Sequence, residues 1–214
     1  MKKLITGHLI AFVILASCTN DTITIADLRC EFLRSPIQVD TQYPRFTWIY
    51  KSANEDMMQQ AFQFDMALSK QAFEDGVYFW TSGKVIESAS NVVYNGKEAL
   101  ESHTKYYWRI TAWDAKEKII ISAIDSFETA KMGTTDWTAR WITDKHDKTF
   151  GPAPMFRKTF NIEKEIASAR LYVGAAAYYK LYVNGQVPNS EKLDPGYTHY
   201  DKRNLYTTID ITQS

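Results

Sequence analysis

Phe62-Gln63-Phe64-Asp65-Met66-Ala67-Leu68-Ser69 decides the fold. Phe62, Phe64, Met66 and Leu68 alternate with Gln63, Asp65, Ala67 and Ser69. Successive side chains of a strand point to opposite faces, so this period of two predicts one buried face and one wet face. Working outward, Tyr106, Trp108, Ile110 and Ala112 alternate in the same way with Tyr107, Arg109, Thr111 and Trp113. Upstream, Arg45-Phe-Thr-Trp-Ile-Tyr50 places Phe46, Trp48 and Tyr50 on one face, and Pro44 suits a strand start.

Shorter strand candidates fill the gaps. Val77-Tyr-Phe-Trp80 follows the turn Asp75-Gly76, and Val92-Val-Tyr94 runs into the turn dipeptide Asn95-Gly96. Ile119-Ile-Ile121 and Ser126-Phe-Glu-Thr129 complete the set. About six or seven short strands over roughly 100 residues, with turn signals between them, predict an immunoglobulin-like or fibronectin type III sandwich over residues 28–131. A core tryptophan without partner cysteines favours the fibronectin variety, and no long stretch shows a period of 3.6. The fold class is all-β.

A second unit follows. Lys131-Met-Gly-Thr-Thr135 reads as a linker, residues 132–150 carry the start of the unit, and Phe150-Gly-Pro-Ala-Pro154 is a breaker cluster. Met155–Phe160, Ala169–Val173, Tyr179–Val183 with the hairpin signal Asn184-Gly185, and Leu205–Ile211 read as strands. Over 151–214 these predict part of a jelly-roll-like β-sandwich that lacks strands to close it, leaving an open edge.

The first residues are of a different kind. Lys2 and Lys3 precede the apolar run Leu9–Ala16, which is shorter than the roughly 20 residues a spanning helix needs. Residues 1–17 therefore read as an export signal. Leu15-Ala-Ser-Cys18 resembles a bacterial lipobox, which makes Cys18 the lipidated mature N-terminus, residues 18–27 a tether, and the bacterial membrane, on its periplasmic or surface face, the location. Cys30 is the only other cysteine, so a disulfide framework is excluded and Cys30 reads as a small buried hydrophobe. Twenty-five basic and 25 acidic side chains cancel, which leaves no basic surplus for nucleic acid.

Landmarks in both units occur in the order seen in bacterial α-L-rhamnosidases, glycoside hydrolase family 78, whose N-terminal region this chain resembles over about residues 28–212. They include Pro44-Arg-Phe-Thr-Trp48, Tyr107-Trp-Arg-Ile-Thr-Ala-Trp-Asp114, Asp136-Trp with Trp141-Ile142, Val183-Asn-Gly185 and the stretch Asp194–Thr212. Departures are the glycine-free loop Asp114–Lys118, Val187-Pro188 and Ala175-Ala-Ala177. The resemblance implies a parent enzyme that removes terminal α-L-rhamnose from glycans with inversion, using two carboxylates in an (α/α)6 barrel. The helical hairpins of that barrel are not found here, so no catalytic residue is assigned. The implied partners are a rhamnose-containing glycan, the barrel, and the membrane through the lipid.

Asp194, Tyr197, His199, Tyr200, Asp201 and Arg203 form the densest polar and aromatic cluster. Carboxylates accept sugar hydroxyls, arginine donates to them and tyrosine stacks on sugar rings, so the loop is a candidate sugar site. It reads more readily as a loop packed against a further domain, or as a solvated turn after Pro195-Gly196. Asp194, Asp201 and Asn204 match no calcium loop, and His103, His146 and His199 have no zinc spacing. No cofactor is implied. The functional alternatives are a supporting portion of a lipid-anchored rhamnosidase, a stand-alone surface glycan-binding lipoprotein, and a structural spacer or gene remnant.

Overall fold

The computed structural model describes residues 23–52, 58–147, 149, 151–189 and 192–214. The expected export signal, Cys18 and Phe150 lie outside the described residues. Ten strands and one short helix follow in order: β1 Thr24–Cys30, β2 Arg45–Lys51, β3 Gln59–Ala67, α1 Lys70–Glu74, β4 Trp80–Thr81 and β5 Asn91–Val93. Then come β6 Lys105–Asp114, β7 Ile119–Ile121, β8 Asp125–Glu128, β9 Arg170–Gly174 and β10 Tyr206–Asp210.

Strands β1, β2 and β5 form one antiparallel sheet in the order β1-β2-β5. The facing sheet runs β4-β3-β6-β7, with β8 also paired to β6. The two alternating stretches that decide the fold are thus hydrogen-bonded neighbours, with Phe64 opposite Ile110 and Met66 opposite Trp108. Their inward rings meet β2 across the sandwich: the Phe46 ring lies 4.6 Å from Phe64 and 4.9 Å from Trp108. All three are fully buried. Trp48 Nε1 donates to buried Gln59 Oε1 at 2.9 Å, so a polar pair also ties the sheets together. Cys30 is buried in this core, and burial pushes its thiol pKa up, away from reactive thiolate.

Several expectations need correction. β1 begins at Thr24, inside the stretch read as tether, so the sandwich starts before residue 28. Its polar residues masked it: Asp27 accepts from Arg29 and Arg34 at a register shift, while Ile25 enters the core. The outer face of β3 is not wet. Asp65 is 1% exposed and accepts from Gln63 Nε2 and Thr81 Oγ1, each at 2.8 Å. Across the ladder from it, the Arg109 guanidinium sits 4.7 Å over the Phe73 ring of α1. That helix, capped by Ser69, escaped the sequence reading because it has one turn only. Leu68, expected inside, falls beyond the strand end and is 56% exposed. After β5, which pairs back with β2, Gly96 lies against the Tyr94 phenol, where a Cβ would clash.

In the second unit β9 and β10 pair antiparallel, Tyr206 opposite Gly174 through Asp210 opposite Arg170. The Asn184-Gly185 turn forms as expected, with φ of 49° and 80°, closed by reciprocal bonds between Val183 and Gln186. Met155–Phe160 and the Trp141-Ile142 stretch take no ladder partner, and every residue from 151 to 168 is exposed. The expected linker is tied down: a helical turn at Thr134–Asp136 turns the Asp136 carboxylate back onto the Met132 and Gly133 amides at 2.9 and 3.0 Å.

Candidate functional site at the junction of the two units

The best-built polar assembly lies where β9–β10 meets the open end of β6 and β8. Arg170, first residue of β9, forks onto Glu128, last residue of β8: Nε and Nη2 each donate to a carboxylate oxygen at 2.8 Å. Its remaining nitrogen donates to the Ala169 carbonyl and the Thr212 hydroxyl and lies 2.9 Å from Asp210. A planar guanidinium suits two parallel bonds to one carboxylate. Glu128 and then Asp210 raise the Arg170 pKa, and the Thr212 hydroxyl, followed by Arg170, lowers that of Asp210. All three Arg170 nitrogens thus have partners inside the protein, which makes the group a joint between the two units.

A second layer surrounds this fork. His103 Nδ1 meets the Tyr172 hydroxyl at 2.7 Å. The Lys131 ammonium sits between the Trp137 and Tyr172 rings, 4.8 and 5.0 Å from their centroids, and donates to the Asp136 carbonyl at 2.6 Å. Tyr206 takes the Lys131 amide at 3.2 Å, and the Thr208 amide donates to Gln38 Oε1 at 3.3 Å. Burial raises the pKa of Tyr172 and Tyr206, keeping both phenols protonated. A cleft of about 710 Å³ opens beside the fork, between Lys105, Ser168 and Asp210.

The cluster singled out in sequence does not converge. Asp194 accepts from Asn189 Nδ2 at 2.8 Å, and its carbonyl takes the Tyr179 amide. Tyr197 is 73% exposed and meets Tyr200 edge-on at 5.4 Å. His199 and Asp201 stand 3.6 Å apart with both side chains largely in solvent. Arg203 alone lines a cleft, one of about 230 Å³ shared with Gln38, Asp40 and Tyr206. A separate aromatic cleft of about 390 Å³ lies on the other side of Tyr206, walled by Trp137, Trp141 and Tyr172 and edged by Arg140 and Asn204. Gly174 forms its floor, where a Cβ would lie 3.9 Å from both tryptophan tips. Among the described residues no three His, Cys, Asp or Glu side chains gather in a metal-holding group.

The junction residues went unflagged in sequence because they are far apart along the chain. Glu128 stands in Phe127-Glu-Thr129, read as strand and as a landmark of the resemblance, and Arg170 in the strand Ala169–Val173, with no role given to either side chain.

Residues 25–133 match the family described as the Rha78A-like, N-terminal immunoglobulin domain, and residues 164–214 match the α-L-rhamnosidase N-terminal domain. An α-L-rhamnosidase of Alteromonas sp. (strain LOR) is 34% identical over 183 residues, covering 79% of this chain and 20% of the relative. One from Formosa agariphila is 29% identical over 204 residues, covering 84% of this chain and 21% of the relative. Among solved structures, the α-L-rhamnosidase of Dictyoglumus thermophilum superposes with a TM-score of 0.80 at 35% identity, over 88% of this chain and 23% of that one. The Aspergillus terreus α-L-rhamnosidase shares the fold at a TM-score of 0.69 and 19% identity, over 90% of this chain and 22% of that one. The sandwich and its appended β9–β10 unit therefore define α-L-rhamnosidase N-terminal sequence. In particular, the chain belongs to the family of Rha78A-like N-terminal immunoglobulin domains. It spans about a fifth of the length of the curated relatives it matches.

Proposed function

We propose that this chain is the non-catalytic N-terminal portion of a lipid-anchored α-L-rhamnosidase, tethered at Cys18. Its role is to set the position of the units that follow and the approach of a glycan bearing terminal α-L-rhamnose. The observation that carries this reading is the Arg170–Glu128 fork, which couples the sandwich to the second unit through two parallel charge-assisted bonds. A coupling of this kind serves placement.

The test is made in the rhamnosidase that carries this stretch. Arg170→Ala should leave cleavage of a small aryl rhamnoside near wild type while speeding thermal inactivation and weakening cleavage of a branched rhamnosyl glycan. Unchanged inactivation and unchanged glycan cleavage would remove the positioning role. The lipid tether is tested separately: Cys18→Ala should release the protein from the membrane fraction, and continued sedimentation with membranes would contradict it.

A second reading, a surface glycan-binding lipoprotein, draws on one observation, the aromatic cleft of Trp137 and Trp141 with Arg140 and Asn204 at its edge. Sugars stack their C–H faces on such rings. Calorimetry of the chain with L-rhamnose decides it: heat that disappears in Trp141→Ala supports binding, and no heat at millimolar sugar rejects it.

A further inference from the structure

The end of the sandwich where the chain enters is a surface of its own. Thr24 pairs there with Lys51, Gln59 with Asp114 and Trp113 with Ile119. The segment after Gly83 joins it: Val85 exchanges both main-chain bonds with Phe62, and Gln59 Nε2 donates to the Ala89 carbonyl at 3.1 Å. Met58, Ile86 and Ile119 stand out from this end, exposed by 62, 77 and 57%. Lys51, Lys116 and Lys118 are exposed around them. Trp113, opposite Ile119 on the ladder, lies under the Lys84 ammonium at 4.6 Å, and that ammonium donates to Glu117 at 2.6 Å. The turn is held from within, since buried Asp114 accepts the Lys116 and Lys118 amides at 2.8 and 2.9 Å.

Apolar exposure alone does not say what covers this end, because the opposite end carries Phe32, Leu33 and Tyr43, also more than half exposed. Chain length decides between them. Only six residue steps separate Cys18 from Thr24, and such a span reaches at most about 20 Å. From Thr24 to Cys30, β1 itself advances about 20 Å. A lipid on Cys18 therefore holds the Thr24 end close to the bilayer, whereas Phe32 would reach it only with the whole tether laid back along β1. Charge points to the mode of contact. The lysines face Glu87 and Glu117, and the sequence adds Glu55 and Asp56 between β2 and β3, so the charges cancel. Such a surface gains little from long-range attraction. It gains from placing apolar side chains at headgroup level while lysine stems lie along them and reach phosphates.

We propose that this end of the sandwich, centred on Ile86 and Ile119, sits on the phospholipid surface to which Cys18 is tethered. This rests on the lipid anchor proposed above and adds a second contact to it. From Asp114 back to Lys105, β6 leads away from that surface by about 30 Å. Lys105 pairs with Glu128, so the Arg170–Glu128 joint lies at the far end of β6. The second unit is thereby held off the bilayer, on the side from which a soluble glycan arrives.

The test places the lipidated chain on vesicles of phosphatidylethanolamine and phosphatidylglycerol, with a fluorophore on one introduced cysteine. Cys30 is buried and does not compete for the label. A label at Glu87→Cys should be quenched by nitroxide-bearing lipid at least about threefold more than one at Tyr43→Cys. Ile86→Asp with Ile119→Asp should bring the Glu87→Cys label down to the Tyr43→Cys level while the protein still floats with the vesicles. Both isoleucines lie outside the sandwich core, and near-ultraviolet circular dichroism reads whether that core is intact. Lys116→Glu with Lys118→Glu, on the exposed turn, is a second variant and should lower the quenching in the same direction. Equal quenching at the two labels, or stronger quenching at Tyr43→Cys, in protein that floats overturns the proposal and leaves the lipid anchor standing. Native protein that does not float overturns the anchor and this contact with it.

Discussion

The sandwich and the second unit are built from similar strand-forming sequence, yet one satisfies itself and the other does not. In the sandwich the apolar alternation of β3 meets that of β6 across a full ladder, and Phe46 closes the core from the opposite sheet. In the second unit Phe156, Phe160 and Ile162 stay exposed, and among the described residues only β9 and β10 pair as strands. Thr208 and Ile209 are the buried residues of that pair, too few to make a core. What holds the hairpin is borrowed: Glu128, Gln38, His103 and Lys131 all belong to the sandwich side. Period two is thus a statement about a strand's need for cover, and the identity of the cover is set elsewhere.

The contrast makes its largest demand on apolar truncations. Phe64→Ala should cost the sandwich about 3–5 kcal/mol, since a fully buried ring leaves a cavity. Phe160→Ala, on an exposed side chain, should stay within about 0.5 kcal/mol. Urea unfolding followed by tryptophan fluorescence reads both, and equal losses would erase the distinction between the units.

Next in size is the joint. Arg170→Ala leaves Glu128 without its fork in a mostly buried setting and should weaken docking of β9–β10 by about 2–3 kcal/mol, the scale of hydrogen bonds to charged groups. Amide exchange in β10 is the readout, with β6 as the internal control. Loss of protection in both strands would mean that the units unfold as one.

A smaller effect is expected at α1. Ser69→Ala removes the hydroxyl that accepts the Ala72 amide and should cost about 1 kcal/mol. Because α1 lies over the outer face of the sheet, the change should also speed exchange near Asp65 while leaving the Phe46 side of the core unaffected.

Proton uptake sharpens the comparison from the linker side. The Ser102 hydroxyl, followed by the Gly133 amide, holds the Asp136 carboxyl below its ordinary range. A lowered folded pKa means that its contribution is fully present above about pH 3.9, the ordinary aspartate value, and is lost as pH falls through the folded value. The Met132 and Gly133 amide signals should therefore shift together in acid, and Asp136→Asn should abolish that titration. At the other end, Tyr172 and Tyr206 have pKa values raised by burial, so their contribution is present below about pH 10 and is lost as pH rises through their folded values. Alkali should therefore loosen the junction, and it acts in the same direction on the sandwich core through Tyr94 and Tyr106, whose pKa values burial also raises.

Sequence made β2, β3 and β6 legible because each carries several large apolar residues in strict alternation. β1 was hidden, since Asp27 and Arg29 satisfy each other on its surface and a register shift breaks its period. The burial of Asp65 was equally invisible: only the return of α1 and Thr81 to that face supplies its cover and its partner. At the candidate site the failure ran the other way. Asp194 to Arg203 is dense along the chain, but its side chains diverge toward Asn189, solvent and Gln38. Glu128 and Arg170 carry no local signal because 42 residues separate them and no strand pairing joins β8 to β9, so only the packing of the second unit on the sandwich brings them together.

The most direct measurement is hydrogen exchange across the whole chain, native and Glu128→Gln, at one pH. Strong protection is expected in β3 and β6 of both proteins, none at 151–168, and protection in β9 and β10 that is present natively and lost in the variant. Protection of β9 and β10 that survives Glu128→Gln, or protection at 151–168 equal to that of β6, would contradict this expectation.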